Sequence, residues 1–408
     1  MAAKRVQTDY PSSTDLSTVK RHKDLHVPED TTTLDEDDGG GAINLLSLLL
    51  QCAEYVATDH LPEASILLSE ISETCSPFGS SPERVVAYFS QALQARVISS
   101  YLSDSCSHLS EKSPIQPQKI FAALQTFNSL SPLIKFSHFT ANQAIFQALD
   151  GEDSVHIIDL DVMQGLQWPG LFHILASRPR KLLSIRITGF GSSSDVLAST
   201  GRRLADFAAS LSLPFEFHPI VGKIGNVTDP SRLGTRPGEA VVVHWMQHRL
   251  YDVTGSDLDT LEIIRRLRPN LVTMVEQELS YGDGGSCFLG RFVEALHYYS
   301  ALFDALGDGL GEESGERFTV EQIVLATEIR NIVGGRRRGM ILRWKEELSR
   351  VGFRPVSLRG NPATQAGLLL GMLPWNGYTL VEENGTLRLG WKDLSLLTAS
   401  AWQSQPSD

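Results

Sequence analysis

Val155, His156, Ile157, Ile158 and Asp159 form an apolar run that stops on a carboxylate, and a second carboxylate, Asp161, follows two residues later. The stretch continues as VHIIDLDVMQGLQWPGL over residues 155 to 171, with Pro169 placed where the first turn of a helix would accept it. A strand that hands over to a helix through a short loop is where nucleotide-binding folds hold a dinucleotide or a methyl donor. The chemistry open to Asp159 and Asp161 is therefore recognition of a nucleoside. Such a loop needs glycines for its tight turn, for close approach of backbone to ligand and for close packing of the helix. Here Leu160, Asp161, Val162, Met163 and Gln164 precede a single Gly165, so side chains stand where the ligand must lie. The next strand, SIRITGFG, should end on an acid for the ribose hydroxyls, and it ends on Thr188, Gly189 and Phe190. Two independent requirements fail, and no cofactor is expected.

Other reactive constellations are weaker still. His244 and His248 lie close together in HWMQHRLYD, but cysteines or carboxylates at ligand spacing are missing. Two structural histidines are expected there, and His156, alternating with Val155 and Ile157, reads as a core histidine. The chain carries no G-x-S-x-G, H-E-x-x-H or P-loop pattern. Cys52, Cys75, Cys106 and Cys287 are far apart and fit free thiols in a reducing compartment. The first residues lack the apolar segment of a secretory signal, and runs such as LLSLLL are core-sized, so no membrane association is expected.

Charge bears on nucleic acid. Acids outnumber bases 48 to 36, a net charge of −12, which opposes phosphate binding by the surface as a whole. A local patch would have to come from Arg202, Arg203, Arg265, Arg266 and Arg268 in helical stretches and from Arg336, Arg337 and Arg338 in a loop. These make a phosphate-binding groove only if the fold brings them together.

The elements that must position these residues fall into three parts. Residues 1–41 are polar, end in LDEDDGGG and read as a disordered tail, with KRHKD at Lys20 to Asp24 as a weak nuclear-import cluster. Residues 42–150 carry five helical patterns. The first places Ile43, Leu46, Leu50, Ala53 and Ala57 on one face, and Leu45, Leu49 and Val56 widen the stripe to a second side. The others are marked by Leu67, Leu68 and Ile71, by Val86, Phe89, Leu93 and Val97, by Phe121, Leu124 and Phe127, and by Ile145, Phe146 and Leu149. Residues 151–408 alternate short β-rich runs (VHIIDL, LSIRITG, FEFHPIV, AVVVHWM, LVTMVEQ) with helical stretches, the pattern of a mainly parallel sheet. Asn384–Gly385 between two alternating runs predicts a closing hairpin. The expected fold class is α/β: a Rossmann-like, methyltransferase-type, mainly parallel sheet with a C-terminal antiparallel hairpin, under an N-terminal α-helical cap.

At this point the motifs carry a resemblance. VHIID stands intact at Val155 to Asp159, leucine-rich helices precede it, and RITGFGSSSDVLASTGRRLADFAASLSLPFEFHPI follows as a second leucine-rich region. FLGRFVEALHYYSALFDAL and EIRNIV come next, and LLTASAW closes on Ser400, Ala401 and Trp402. In that order, over Ile43 to Trp402, they resemble the GRAS family of plant regulatory proteins, and within it the scarecrow branch. The resemblance implies a Rossmann-like core under a helical cap in proteins not known as enzymes, which regulate transcription in the nucleus through partners. The implied partners are a short-root-type GRAS protein, as a heterodimer, and zinc-finger transcription factors of the indeterminate-domain class, so that DNA is reached mainly indirectly. The implied process is radial patterning, including endodermis and bundle-sheath specification. The chain departs from the family at GGRRRGMILRW after EIRNIV, and its tail is short for the branch.

The first helix also holds short interaction motifs. Leu45, Leu48 and Leu49, and again Leu46, Leu49 and Leu50, have the i, i+3, i+4 spacing of a co-regulator helix. Leu50, Cys52 and Glu54 fit the L-x-C-x-E pattern that docks retinoblastoma-type pockets, a partner the resemblance makes plausible. The same leucines are the helix's packing face, and core packing is the favoured reading. A helix apolar on two sides must bury the second against a partner's cap or against this chain's own core.

Overall fold

The computed structural model describes residues 37–101, 117–247, 250, 257–279, 287–308, 314–334, 344–372 and 377–404. The expectations for residues 1–36, Cys106, His248 and Arg336 to Arg338 lie outside the described residues.

Five short runs form parallel strands: β1 (Ser154–Asp159), β2 (Ser184–Gly191), β3 (Phe215–Val221), β4 (Ala240–Met246) and β5 (Leu271–Gln277). They lie side by side in the order β3-β2-β1-β4-β5, the doubly wound arrangement whose direction of travel reverses between β1 and β4. Helices α6 (Trp168–Ala176) and α7 (Ser194–Ser210) follow β1 and β2, and α8 (Asp257–Leu267) follows β4. Leucines of α6 and α7 join the core on one face of the sheet, and Leu261 and Ile264 of α8 join the core on the other. With both faces covered, the central strands are near-continuously apolar.

Beyond β5 the sheet turns antiparallel. β9 (Leu394–Ser404) pairs with β5, β8 (Thr386–Trp391) with β9, and β7 (Tyr378–Glu383) forms the far edge. The short β6 (Phe353–Val356) also pairs with β9, so four antiparallel strands replace the single pair expected. The hairpin turn is where the sequence puts it: Asn384 and Gly385 have φ of 51° and 78°, the two positive values that a tight β-hairpin turn requires. A Cβ on Gly385 would also stand 3.2 Å from Ser357 Cα. Gly385→Ala is expected to cost about 1–2 kcal/mol of stability, read by urea denaturation.

Among the described residues, five helices precede the sheet: α1 (Asp37–Ala57), α2 (Leu61–Thr74), α3 (Ser81–Tyr101), α4 (Pro117–Leu130) and α5 (Leu133–Ala148). The first begins at Asp37, inside the stretch expected to be tail. α5 packs on β5 and β9. The helical layer also takes α9 (Phe288–Gly307), α10 (Gly315–Val320), a wide π-type turn at Glu321–Leu325 and α11 (Ala326–Gly334). Of these, α9 and α11 lie against α3, where the Phe89 ring meets Phe292 edge-on at 5.4 Å and Tyr299 at 6.3 Å. The cap is thus assembled from both halves of the chain. Two last helices, α12 (Trp344–Arg350) and α13 (Asn361–Gly371), flank the antiparallel strands.

A buried ion cluster joins the two cap segments. Arg84 donates to Glu321 Oε1 (3.1 Å), to the Gly79 and Phe303 carbonyls and to Ser81 Oγ, and the Arg317 guanidinium lies 3.6 Å from the same carboxylate oxygen. Arginine is almost never fully buried unless paired. The sequence reading missed this cluster, because Arg84 and Glu321 are 237 residues apart.

Candidate functional site

The reversal of strand order between β1 and β4 is where a fold of this kind binds ligands, beyond the carboxyl ends of the strands. Asp159 ends β1 there. Its Oδ2 accepts the indole N–H of Trp168 at 2.9 Å, and its Oδ1 accepts the amide of Asp161 at 3.2 Å. Trp168 is fully buried and meets His244 edge-on at 5.5 Å, while His244 Nδ1 lies 2.9 Å from Thr273 Oγ1. Burial, reinforced by Asp161, pushes the Asp159 carboxyl up to about 7, and burial holds the His244 imidazole down to about 3. Both carboxyl oxygens therefore serve internal donors, and His244 is a neutral spacer.

The raised carboxyl makes a pH prediction. Its ordinary value is 3.8 and its folded value about 7, so protonation favours the native state. That contribution is fully present below the unfolded value and is lost as pH rises through the folded one. Asp159→Asn removes the titration. Wild-type stability relative to this variant should fall between about pH 4 and pH 7 and level off by about pH 8. A difference that stays constant across a pH series of denaturation curves would contradict the assignment.

The crevice itself is filled from within. Val162 is buried, and its amide donates to the Phe190 carbonyl at the end of β2 (2.9 Å). A Cβ on Gly189 would stand 2.9 Å from both Val162 Cγ1 and Phe217 Cζ. An acidic side chain at that position, the place for a ribose ligand, has no room. A Cβ at Gly191 would meet Leu197 at 3.0 Å, and Phe190 points into the opposite core. The residues present do not fit an S-adenosylmethionine-type ligand. Among the described residues no group of three histidines, cysteines or carboxylates is placed to hold a metal ion.

His156 points to the other face of the sheet. Its Nδ1 lies 3.1 Å from Arg186 NH2 and its Nε2 lies 2.8 Å from Thr188 Oγ1. A guanidinium only donates, so Nδ1 accepts and Nε2–H donates to the threonine. Burial and the adjacent Arg186 hold this imidazole down to about 4. Arg186 also grips Glu239 with two hydrogen bonds (2.9 and 2.6 Å) and donates to the Gly234 carbonyl at 2.7 Å. The histidine of VHIID thus belongs to a buried network that ties the β3–β4 connection to the sheet. Val155, Ile157 and Ile158 are fully buried core.

The remaining candidates are placed as follows. Ser400, Ala401 and Trp402 lie in β9, paired with Met274, Thr273 and Val272 of β5, and Trp402 Nε1 donates to Ser400 Oγ (3.0 Å). They are buried architecture. Arg202 and Arg203 sit on α7 and Arg265 and Arg266 on α8, on opposite faces of the sheet, with Arg268 just beyond α8. The condition for a shared groove, that the fold brings them together, is therefore not met by Arg202 and Arg203 with Arg265 and Arg266. Arg203 donates to the Gln164 carbonyl, and Arg265 and Arg266 share Glu262 at 2.7 and 2.8 Å.

In α1 the stripes exchange roles. The buried face is Leu45, Leu49, Cys52, Ala53 and Val56, while Leu46, Leu48 and Leu50 are half-buried, Glu54 and Ala57 are exposed and Ile43 is 69% exposed. Two apolar stripes adjoin on this helix, and the packing of α2, α3 and α9 decides which one faces inward. Leu45, Leu49 and Cys52, which the two motifs offer for docking, are buried in the cap core. The Cys52 thiol lies 3.6 Å from the Ala64 carbonyl, and burial pushes it up to about 12. Docking of Leu50 to Glu54 as an extended peptide would need α1 to unwind. By length and composition, Gly40–Ala57 of α1 is apolar enough to cross a membrane, yet its leucines build the cap core here.

A sequence profile of the GRAS domain family matches residues 45–403. The chain is 82% identical to Scarecrow-like protein 23 of Arabidopsis thaliana, over the whole of both chains. It is 58% identical to Protein SCARECROW of Arabidopsis thaliana over 90% of this chain and 56% of that protein, so it spans about half the length of that relative. A crystal structure of SCL7 in Oryza sativa superposes with a TM-score of 0.74 at 33% identity, covering 88% of this chain and 99% of that one.

Proposed function

The chain belongs to the GRAS domain family, in its scarecrow branch, and from that premise we propose that it is a nuclear regulator of transcription working through protein–protein contact. On this reading it carries out no reaction. Its partners are a short-root-type GRAS protein and zinc-finger proteins of the indeterminate-domain class, and its process is plant radial patterning, including endodermis and bundle-sheath identity. DNA is reached through the zinc-finger partner.

The observation that carries the reading is the contrast between two surfaces. The ligand crevice is filled by the chain's own side chains, whereas the cap exposes large apolar groups, Ile43 of α1 and Ile66 of α2, each 69% exposed. Exposed apolar groups beside half-buried Leu46 and Leu50 suit a partner's helix. Ile43→Asp is expected to weaken co-purification of the short-root-type partner about tenfold or more and to leave the thermal unfolding midpoint within about 1 °C. The double variant Leu46→Glu, Leu50→Glu probes the half-buried border. If it precipitates, those leucines are core, and if it stays folded yet binds the partner unchanged, the cap reading fails. In electrophoretic mobility shifts, the chain should retard DNA only when the zinc-finger protein is added.

A further inference from the structure

We infer that the loop between β1 and α6 is the permanent occupant of the ligand crevice, that Thr200 and Arg203 of α7 are the residues that hold it there, and that this chain takes no nucleoside at the carboxyl ends of β1 and β2.

The loop is anchored at Leu160, Val162, Met163 and Gln164. The Leu160 amide donates to the His244 carbonyl on β4 (3.0 Å), and the Val162 amide donates to the Phe190 carbonyl on β2 (2.9 Å). The loop therefore bridges both strands that flank β1. Thr200, itself buried, donates its hydroxyl to the Met163 carbonyl at 3.0 Å, and Arg203 donates to the carbonyl of Gln164 one residue on. Two neighbouring carbonyls of the loop are thus taken by one turn of α7.

The loop's backbone shape depends on this grip. Met163 has φ of 42° and Gly165 has φ of 61°. A left-handed methionine is unfavourable by itself and persists where surrounding contacts over-determine it. A Cβ on Gly165 would meet Thr200 Cγ2 and Leu204 Cδ1, each at 3.1 Å, so the loop crosses α7 at the closest approach its backbone allows. The Trp168 amide then returns to the Gly165 carbonyl (3.2 Å), and its indole closes the crevice floor on Asp159. A nucleoside entering here would have to break the Val162–Phe190 bond and displace a buried valine. Arg203, a candidate phosphate contact from sequence, is reassigned as a positioning residue for the loop.

Two measurements on the full chain test this. In calorimetry, S-adenosylmethionine and S-adenosylhomocysteine up to about 1 mM should give no saturable heat with the wild type. In amide hydrogen exchange, Thr200→Val and Arg203→Met, made separately, should each speed exchange of the Val162 and Gly165 amides about tenfold while the amides of β4 and β5 stay unchanged. Arg203 is exposed, so its variant remains informative if the threonine variant does not fold. Saturable nucleoside binding by the wild type, or unchanged loop exchange in both variants, overturns the inference.

Discussion

Arg186→Met is expected to lower the unfolding free energy by about 3–5 kcal/mol, because breaking one side of a buried ion pair leaves the Glu239 charge with the Arg236 amide (2.9 Å) as its remaining donor among the hydrogen bonds seen. Arg186 and Glu239 are 6% and 4% exposed at their side chains, so solvent cannot take over the lost partner. The guanidinium also serves the Gly234 carbonyl and His156 Nδ1, and the methionine supplies neither. The double variant Arg186→Met, Glu239→Leu should recover half or more of the loss, since removing both charges of a buried pair is often near neutral. Urea denaturation of the two single variants and the double variant closes the cycle. A single-variant loss under about 1 kcal/mol would mean the network is a surface feature, contrary to its burial.

Trp168→Ala should cost a similar amount, about 3–5 kcal/mol, through cavity formation in a packed core. The indole is fully buried, and the carboxyl it serves has only the Asp161 amide as its other donor among the hydrogen bonds seen. Trp168→Phe separates the two contributions: it keeps most of the volume and removes the donor. Its cost is expected to be about 1–3 kcal/mol. It should also raise the Asp159 carboxyl further, because the indole N–H favours the charged form. Stability measured for both variants at acid and neutral pH separates packing from the hydrogen bond. The phenylalanine variant should recover toward wild type at acid pH, while the alanine variant keeps its cavity cost.

Much of the fold could be read from residue patterns, and the reasons are local. β1, β2, β4 and β5 are short runs buried almost throughout, the edge strand β3 is an aromatic-and-polar run that is largely exposed, and Asn384–Gly385 supplies both left-handed residues of the hairpin. β9 escaped because its centre, Ala399 to Ala401, is small residues with little strand preference, and pairing with β5, β6 and β8 makes it a strand. β6 escaped because Pro355 argues against a strand, although it sits on a short edge segment that tolerates the missing donor. For the site, the crowding after Asp159 was visible in the absence of glycines. The neighbours that enforce it, Phe190, Thr200 and Phe217, were not, because they come from β2, α7 and β3. The facing of α1 was ambiguous for a related reason: periodicity counts apolar positions and is blind to which neighbour covers them.

The helical layer's double origin sets an order of events during synthesis. α1, α2 and α3 leave the ribosome long before α9, whose first residue comes about 190 positions after the end of α3. At usual elongation rates that interval is roughly ten to forty seconds. Phe89, Arg84 and their neighbours spend it without the rings and the carboxylate that later enclose them. Nascent chains therefore present an adhesive three-helix segment, its Arg84 still without Glu321, to the cytosol, and truncations ending before Phe288 should be held by chaperones or lost to proteolysis.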